Sequence, residues 1–350
     1  MANKNYQPKD NFHINLWTGN STTDRAMTGI GFKPDLLWIK GRNEGTDHEL
    51  NDAVRGSTKY LNSNDTGVEA TEAESVKSFD ADGYTLGNAN YWNWTAKTFV
   101  GWSWKAGTTT GLSGGTITPT AYSINTTAGF GIYQYDGNST SGATIAHGLG
   151  VAPQMVIVKC LDAAENWTVG HTGFGFTKWM PLDTSGTPTA TSVIWNDTAP
   201  DATNITLGNN SLVNTHTTRG YVMYAFAPIK GYSAFGKYVG NNDADGPFCY
   251  TGFQPAWVCM KRVDSSENWT LYDNQRLGYN PQTFGIRPNL SNIESEYSGT
   301  SGARGVDFLS NGFKIREDGT NMNANNGDYI YMAFAKQPLV SSNEVAGVAR

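Results

Sequence analysis

The sequence has few charged residues and no strong excess of charge of either sign. Asp, Glu, Lys and Arg make up 16% of its 350 residues, against about 25% in typical globular proteins. The formal net charge of −6 excludes the basic surface that a nucleic-acid-binding protein presents to its polyanionic ligand. No apolar run approaches the roughly 18 residues that a membrane-spanning helix needs. We therefore expect no nucleic-acid partner and no membrane insertion.

Cysteine is also scarce, and its spacing excludes a cysteine-based metal site. The three cysteines are Cys160, Cys249 and Cys259, and an odd number cannot all pair in disulfides. Cys160 and Cys259 lie at or within apolar runs, where a buried free thiol is the expected state. The first six residues lack the apolar core of a signal peptide, which predicts synthesis in a reducing cytoplasm.

Glycine and aromatic residues are abundant where charged residues are few. The chain has 40 Gly, and Phe, Trp and Tyr make up 12% of it. With its many Thr, Asn and Ser residues, this composition is typical of turn-dense β-structure and not of helical bundles.

One stretch of twelve residues, 29–40, occurs three times in related form, again at 148–159 and 250–261. In each copy a glycine precedes a proline by three residues, and a lysine follows that proline by six. These residues are Gly31, Pro34 and Lys40; Gly150, Pro153 and Lys159; and Gly252, Pro255 and Lys261. Glycine gives conformational freedom at a corner, and proline fixes φ at a strand start, where its missing N–H is tolerated. The apolar run between proline and lysine predicts a strand that is covered on both faces and leaves the core at its lysine.

The spacing of these corners indicates internal triplication. Successive corner prolines are 119 and 102 residues apart, and the Gly-Asn turns that follow the first strand of each unit are 118 and 103 residues apart. Such agreement is the signature of repeated structural units. The sequence therefore predicts an all-β protein of three related antiparallel β-sandwich units in tandem. A closed pseudo-threefold ring of the three units is the alternative architecture.

The unit boundaries follow from this repeat. We expect an N-terminal arm (1–10), unit one (11–106), a Thr/Gly-rich linker (107–128), unit two (129–230), unit three (231–338) and a C-terminal arm (339–350). Units two and three are joined with almost no spacer, so we expect them to pack together, with unit one hinged or docked separately. Residues 47–60 show no clear strand period and leave room for one short helical turn.

Several motifs resemble catalytic or metal-binding sites, but each lacks a required part. Residues 111–115 match the nucleophile-elbow pattern without the strand and helix that the elbow needs. Residues 241–246 resemble the start of a calcium loop whose twelfth position is Gly252 in place of Glu, and residues 80–83 are equally consistent with a hairpin turn. The five histidines lack the spacing of a zinc site. The charged cluster at 47–55 is interpreted as a solvated surface turn rather than an acid–base pair. We therefore predict no enzyme activity, no metal and no cofactor.

Tyr91, Trp92 and Trp94 form an aromatic cluster in the segment before the last strand of unit one. The corresponding segments of the other units are polar, at residues 214–216 and 323–325. Aromatic rings in a loop suit stacking on a sugar ring or contact with an apolar protein patch. The alternative is that they cover the core of unit one or an intersubunit contact. The three aromatic residues are our candidates for contact with a ligand or partner.

Four phrases of the sequence carry a family resemblance: FKPDLLWIKGRN (32–43), DAVRG (52–56), DGPFCYTGF (245–253) and DFLSNGFKIR (307–316). They resemble a repeated domain of tailed-bacteriophage virion proteins, especially of marine and cyanobacterial phages, and the resemblance extends from about Phe12 to Arg350. It implies a non-enzymatic virion protein, such as a tail fibre, an adaptor or a receptor-contacting tail component. The implied partners are other virion proteins and a host surface glycan. A homotrimer is expected because fibres usually assemble as trimers.

Two other functions stay open at the level of sequence. One is a head decoration protein that reinforces the capsid, and the other is a tailspike that binds or degrades polysaccharide. A depolymerase would need paired carboxylates about 5 to 9 Å apart in a groove.

Overall fold

The computed structural model of the chain describes residues 10–215, 219–296 and 305–336. The predicted terminal arms, apart from Asp10, lie outside the described residues. The regular secondary structure of the described part is almost entirely β-strand, with three helices of four residues each, so the prediction of an all-β protein is confirmed. No helix in the described ranges is long and apolar enough to cross a membrane.

The strands and helices divide evenly among the three units. Unit one contains β1 (Phe12–Thr18), β2 (Arg25–Thr28), β3 (Leu36–Gly41), β4 (His48–Asp52), β5 (Gly56–Asn62), β6 (Ala70–Thr71), β7 (Val76–Asp80), β8 (Gly83–Leu86), α1 (Asn90–Asn93) and β9 (Thr98–Trp104). Unit two contains β10 (Ala121–Asn125), β11 (Phe130–Asp136), β12 (Ala143–Ala146), β13 (Met155–Cys160), β14 (Thr168–His171), β15 (Lys178–Pro181), β16 (Thr189–Ala190), α2 (Ser192–Trp195), β17 (Asn204–Leu207) and β18 (Gly220–Phe226). Unit three contains β19 (Ser233–Val239), β20 (Phe248–Tyr250), β21 (Pro255–Arg262), β22 (Thr270–Asp273), β23 (Phe284–Gly285), β24 (Ser295–Glu296), β25 (Val306–Leu309), β26 (Gly312–Ile315), α3 (Thr320–Asn323) and β27 (Asp328–Ala335).

The three units share one topology. Each has a large antiparallel sheet whose four common strands have the same order, namely β1-β9-β3-β4, β11-β18-β13-β14 and β19-β27-β21-β22. Strands β5 and β6 extend the first of these sheets, and β10, β15 and β16 flank the second. A small sheet accompanies each large one: β2-β8-β7, β12-β17 and β20-β26-β25. Each unit is therefore a small antiparallel sandwich, as predicted.

The glycine–proline corners have the same conformation in all three units. Gly31, Gly150 and Gly252 have φ values of +87°, +73° and +81°, a region that side-chain-bearing residues adopt only with strain. The proline that follows each glycine is buried at the start of the central strand. Every residue of β3 and β13, and of β21 up to Lys261, is buried, which confirms that these strands are covered on both faces.

The two faces of each large sheet contribute to different cores. Leu37 and Ile39 of β3 pack with the small sheet of unit one, whereas Leu36 and Trp38 point into a core that all three units share. Units two and three divide their central strands in the same way. In the shared core, the ring centroids of Trp104 and Trp257 lie 5.8 Å apart, and those of Phe226 and Phe334 lie 6.0 Å apart. A cavity of about 30 Å³ at the centre is lined by residues of all three units.

This shared core makes the molecule a closed pseudo-threefold ring. The prediction that unit one is hinged or docked separately is wrong, because Trp38, Trp102 and Trp104 of unit one are buried in the shared core. The apolar runs of the three central strands indicated cover on both faces, and the neighbouring units supply the second cover.

The predicted linker at 107–128 also differs from expectation. Residues 121–125 form β10 and pair with β11 of unit two. Gly115 and Ile117 make bridges to Ile145 of β12. The Thr/Gly-rich segment therefore packs along two strand edges of unit two, where it protects them from pairing with other chains.

The expectation of a short helical turn at 47–60 is wrong. The segment forms β4 and β5, joined by a tight turn at Ala53–Arg55. The segment lacks the alternation of apolar and polar residues that marks a strand, because both faces of β4 are buried and carry polar side chains, namely His48, Glu49 and Asp52.

Candidate functional site

The aromatic cluster at 91–94 is largely part of the core of unit one. Trp92 is 2% exposed, its Nε1 donates to Asn51 Oδ1 at 3.0 Å, and its ring meets Tyr60 edge-on with centroids 5.1 Å apart. Trp94 is half-buried, and the Lys97 ammonium lies 5.2 Å from its ring centroid. Tyr91 is 42% exposed. The prediction of a contact surface is therefore wrong for Trp92, and only Tyr91 presents much of its ring to solvent.

The repeat lysines are buried, contrary to the expectation that each central strand leaves the core there. Lys40, Lys159 and Lys261 are each 0% exposed, and each Nζ donates to the backbone carbonyl of the following residue. Lys40 also donates to Ser291 O of unit three at 3.2 Å, and Lys159 to Thr66 O of unit one at 3.1 Å. Burial lowers the pKa of Lys40 and of Lys261 to about 8. These ammonium groups hold carbonyl oxygens together, two of them across a unit boundary.

The position eight residues after each lysine links its unit to a neighbour. In units two and three it is Trp167 and Trp269, whose Nε1 groups donate to Asn62 O of unit one at 2.8 Å and to Pro181 O of unit two at 3.1 Å. In unit one it is His48, whose Nε2 donates to Arg287 O of unit three at 3.0 Å. His48 Nδ1 accepts from Trp38 Nε1 at 2.9 Å, which fixes this tautomer. An imidazole therefore makes the contact that an indole makes in the other units.

The position twelve residues after each lysine makes a second contact, with the other neighbour. Asp52 of unit one accepts from the Tyr224 hydroxyl of unit two at 2.7 Å. Asp273 of unit three accepts from Trp102 Nε1 of unit one at 3.1 Å. His171 of unit two donates through Nε2 to Tyr331 O of unit three at 3.2 Å. Each large sheet therefore meets one neighbour at one end of its strands and the other neighbour at the opposite end, which closes the ring.

Apart from Asp47, which is partly exposed, the charged cluster at 47–55 is buried and does not form a solvated turn. Arg55 Nε lies 2.5 Å from Asp52 Oδ2, and both side chains are 0% exposed. Arg276 and Asp273 repeat this pair in unit three, at 2.6 Å. Glu49 is also 0% exposed; neither of its oxygens has a well-formed hydrogen bond among the described residues, although Asn62 lies near. Burial raises the pKa of Glu49 well above its usual value.

A buried asparagine closes each sandwich, a role that was not predicted from the sequence. Asn93, Asn214 and Asn323 are 0% exposed. Each Oδ1 accepts from the backbone N–H of the asparagine in the Gly-Asn turn of its unit, at 3.1, 2.7 and 2.8 Å. Each Nδ2 donates to the carbonyl six residues earlier, at 3.0, 2.9 and 2.7 Å. The recurrence of asparagine 11 or 12 residues before the end of each closing strand was the available signal.

The outer face of the small sheet in unit three carries two exposed aromatic rings. Phe248 and Tyr250 on β20 are 45% and 68% exposed, whereas Cys249 between them points into the core. Tyr250 pairs with Gly312 of β26. A Cβ atom at Gly312 would lie 2.8 Å from the Phe248 ring, so this ring leans over the glycine. We call the outward residues of this sheet the aromatic platform, comprising Phe248, Tyr250, Asp307, Leu309, Gly312 and Lys314.

Charged groups border the platform in balanced pairs. Lys314 Nζ lies 2.8 Å from Asp245 Oδ1, and Arg316 lies 3.5 Å from Asp307 and 3.6 Å from Asp245. Two cations therefore face two carboxylates, and the platform carries no net charge. Asp245 belongs to the segment that resembled a calcium loop; among the described residues, no group of three His, Cys, Asp or Glu side chains is placed to hold a metal ion.

Comparison with known protein families matches residues 7–338 of the chain to a family model. The matching family is described as a domain of unknown function, DUF7483. The chain belongs to the DUF7483 family. A comparison with curated proteins finds no match. In this DUF7483 protein, the family match spans all three units, so the ring as a whole corresponds to the family domain.

Proposed function

We propose that the chain is a non-enzymatic structural component of a bacteriophage virion, located in the tail as a fibre, an adaptor or a receptor-contacting part. The observation that carries the proposal is the use of buried polar groups between the units. Lys40, Lys159, His48, His171, and the Asp–Arg pairs at 52–55 and 273–276 bond across or beside unit boundaries. Such contacts fix the relative position of the units, which suits a part that is stacked and bears load. The resemblance of four sequence phrases to phage virion domains adds to this support.

The proposed partners are other virion proteins, and the proposed assembly is a homotrimer. The trimer is proposed by analogy with phage fibres, which usually assemble from three chains. Light scattering on the purified protein tests the assembly. A particle of three times the 38.0 kDa chain mass is expected, and a monomer at all concentrations would contradict it.

The location is tested on purified phage particles from the host that carries this sequence. We expect the chain in mass spectra of washed particles, with labelled antibody seen at the tail by electron microscopy, in a few dozen copies or fewer. Hundreds of copies on the head would support a capsid decoration protein instead. Absence of the chain from the particles would contradict the proposal. Release of new reducing ends from host polysaccharide by the purified protein would contradict its non-enzymatic part.

A further inference from the structure

We infer that the aromatic platform of unit three binds a neutral glycan. The inference rests on the receptor-contacting part of the proposed function, because it names the ligand class of that contact and the residues that make it. Phe248 and Tyr250 are two residues apart on one strand, so their Cα atoms lie about 7 Å apart and both side chains project from the same face of the sheet. Aromatic rings with an exposed face and a polar border suit the apolar faces of sugar rings.

The shape of the platform depends on Gly312. A Cβ atom at this position would lie 2.8 Å from the Phe248 ring and 2.1 Å from Cys249 O. The absence of a side chain lets the Phe248 ring lie low against β26. Leu309 of β25 continues the same row, because Tyr250 pairs with Gly312 and Gly312 with Leu309. The platform is therefore a broad surface that extends across three strands.

The other two units do not have this surface, although they share the topology. On β2 the positions that match Phe248 and Tyr250 are Ala26 and Thr28, whose partners on β8 are Thr85 and Gly83. On β12 they are Thr144 and Ala146, and residues 114–117 of the linker pack beside them. In units one and two the sandwich forms although the outward residues of this strand are small. Packing of the core therefore requires only the inward-facing residues of the strand. The two aromatic residues in unit three therefore call for a separate explanation.

The charges around the platform determine the class of ligand. Lys314 and Arg316 are matched by Asp245 and Asp307 at 2.8 to 3.6 Å, so neither a polyanion nor a polycation gains from the field of the platform. The same four side chains offer donors and acceptors at the border of an apolar surface. A neutral polyhydroxylated ligand complements this arrangement, because its hydroxyl groups match the border and its C–H faces match the rings.

Isothermal titration calorimetry with the full-length protein tests the inference. The probes are cellohexaose, maltohexaose and chitohexaose, followed by an array of neutral glycans, with hexagalacturonate as the anionic comparison. We expect at least one neutral probe to bind, and Phe248→Ala and Tyr250→Ala each to raise its Kd about tenfold, the effect of losing roughly 1.4 kcal/mol of ring contact. Val151→Ala is the control, since it removes a similarly exposed apolar side chain from unit two, and it should leave the Kd unchanged. Circular dichroism and thermal unfolding of each variant verify that the fold is intact.

Three results would overturn the inference. The first is no binding of any neutral probe, and the second is tighter binding of hexagalacturonate. The third is equal Kd values for the platform variants and the unchanged protein. If the Phe248→Ala/Tyr250→Ala double variant dissociates an oligomer in sedimentation velocity while no glycan binds, the platform is an interface with a second copy. Particle labelling is independent of these tests: a tail location without glycan binding discards only the inference, and glycan binding by a chain absent from particles discards only the proposed function.

Discussion

The buried pair of Arg55 and Asp52 gives the most quantitative prediction. Both side chains are 0% exposed, and Asp52 also accepts from the Tyr224 hydroxyl of the neighbouring unit. Arg55→Met keeps much of the apolar stem but leaves a buried carboxylate without its cation. Removal of one partner of a buried pair typically lowers the free energy of unfolding by about 3–5 kcal/mol, and we expect a loss of this size.

The matched control is Arg262→Met. Arg262 lies 2.7 Å from Asp264, but their side chains are 15% and 35% exposed. Exposed pairs contribute about 0–1 kcal/mol, so this variant should lose less than about 1 kcal/mol. Urea unfolding at pH 7, followed by tryptophan fluorescence and by circular dichroism, measures both variants. Added salt should weaken only the contribution of Arg262, because buried pairs are screened less. Equal losses in the two variants would refute the argument that burial makes the Arg55–Asp52 pair contribute more to stability than an exposed pair does.

Three further predictions concern the other buried polar groups. Burial lowers the pKa of His171 to about 4 from 6.5, so as the pH falls the unfolded chain is protonated before the folded chain. The free energy of unfolding should therefore fall by up to about 3 kcal/mol between pH 6.5 and 4. His171→Gln should reduce this fall in urea unfolding at pH 7 and 4.5, and an unchanged pH dependence would contradict the burial of His171 as its cause. Burial raises the pKa of Glu49, so the stability that the neutral Glu49 side chain contributes is complete below the pKa of the unfolded chain and is lost as the pH rises. Between pH 5 and 9, the free energy of unfolding of Glu49→Gln should therefore fall less than that of the unchanged protein. Parallel curves of the free energy of unfolding against pH would contradict this prediction. Asn323→Ala removes the hydrogen bonds that the Glu317 backbone carbonyl and the Asn241 backbone N–H make with the amide, at 2.7 and 2.8 Å. We expect the free energy of unfolding to fall by about 2–5 kcal/mol in urea unfolding. A fall of less than about 1 kcal/mol would show that water replaces the amide.

Local structure was largely predictable from the sequence. Gly31, Gly150 and Gly252 adopt positive φ, and the apolar runs after their prolines form strands buried on both faces. Cys160 and Cys259 are buried free thiols, as expected. These features depend on residues close together in the chain, so local patterns determine them.

Ring closure and the polar contacts between units were less predictable. Trp167, Trp269 and His48 occupy the same structural position, but the chemical difference between indole and imidazole concealed the equivalence. Trp92 was a candidate either for ligand contact or for packing on the core, and its hydrogen bond to Asn51, 41 residues away in the chain, belongs to the core. Such contacts join residues that are distant in the sequence, so the hydrophobic periodicity of a short stretch does not indicate them.

The central claim is that the three units share one core, and cleavage of the chain between units one and two tests it most directly. Residues 107–111 are exposed, so a protease recognition sequence inserted between Thr110 and Gly111 leaves every strand intact. After cleavage, we predict that the two fragments stay together in gel filtration under native conditions and separate only in denaturant. Elution of a folded unit one fragment by itself under native conditions would contradict the closed ring.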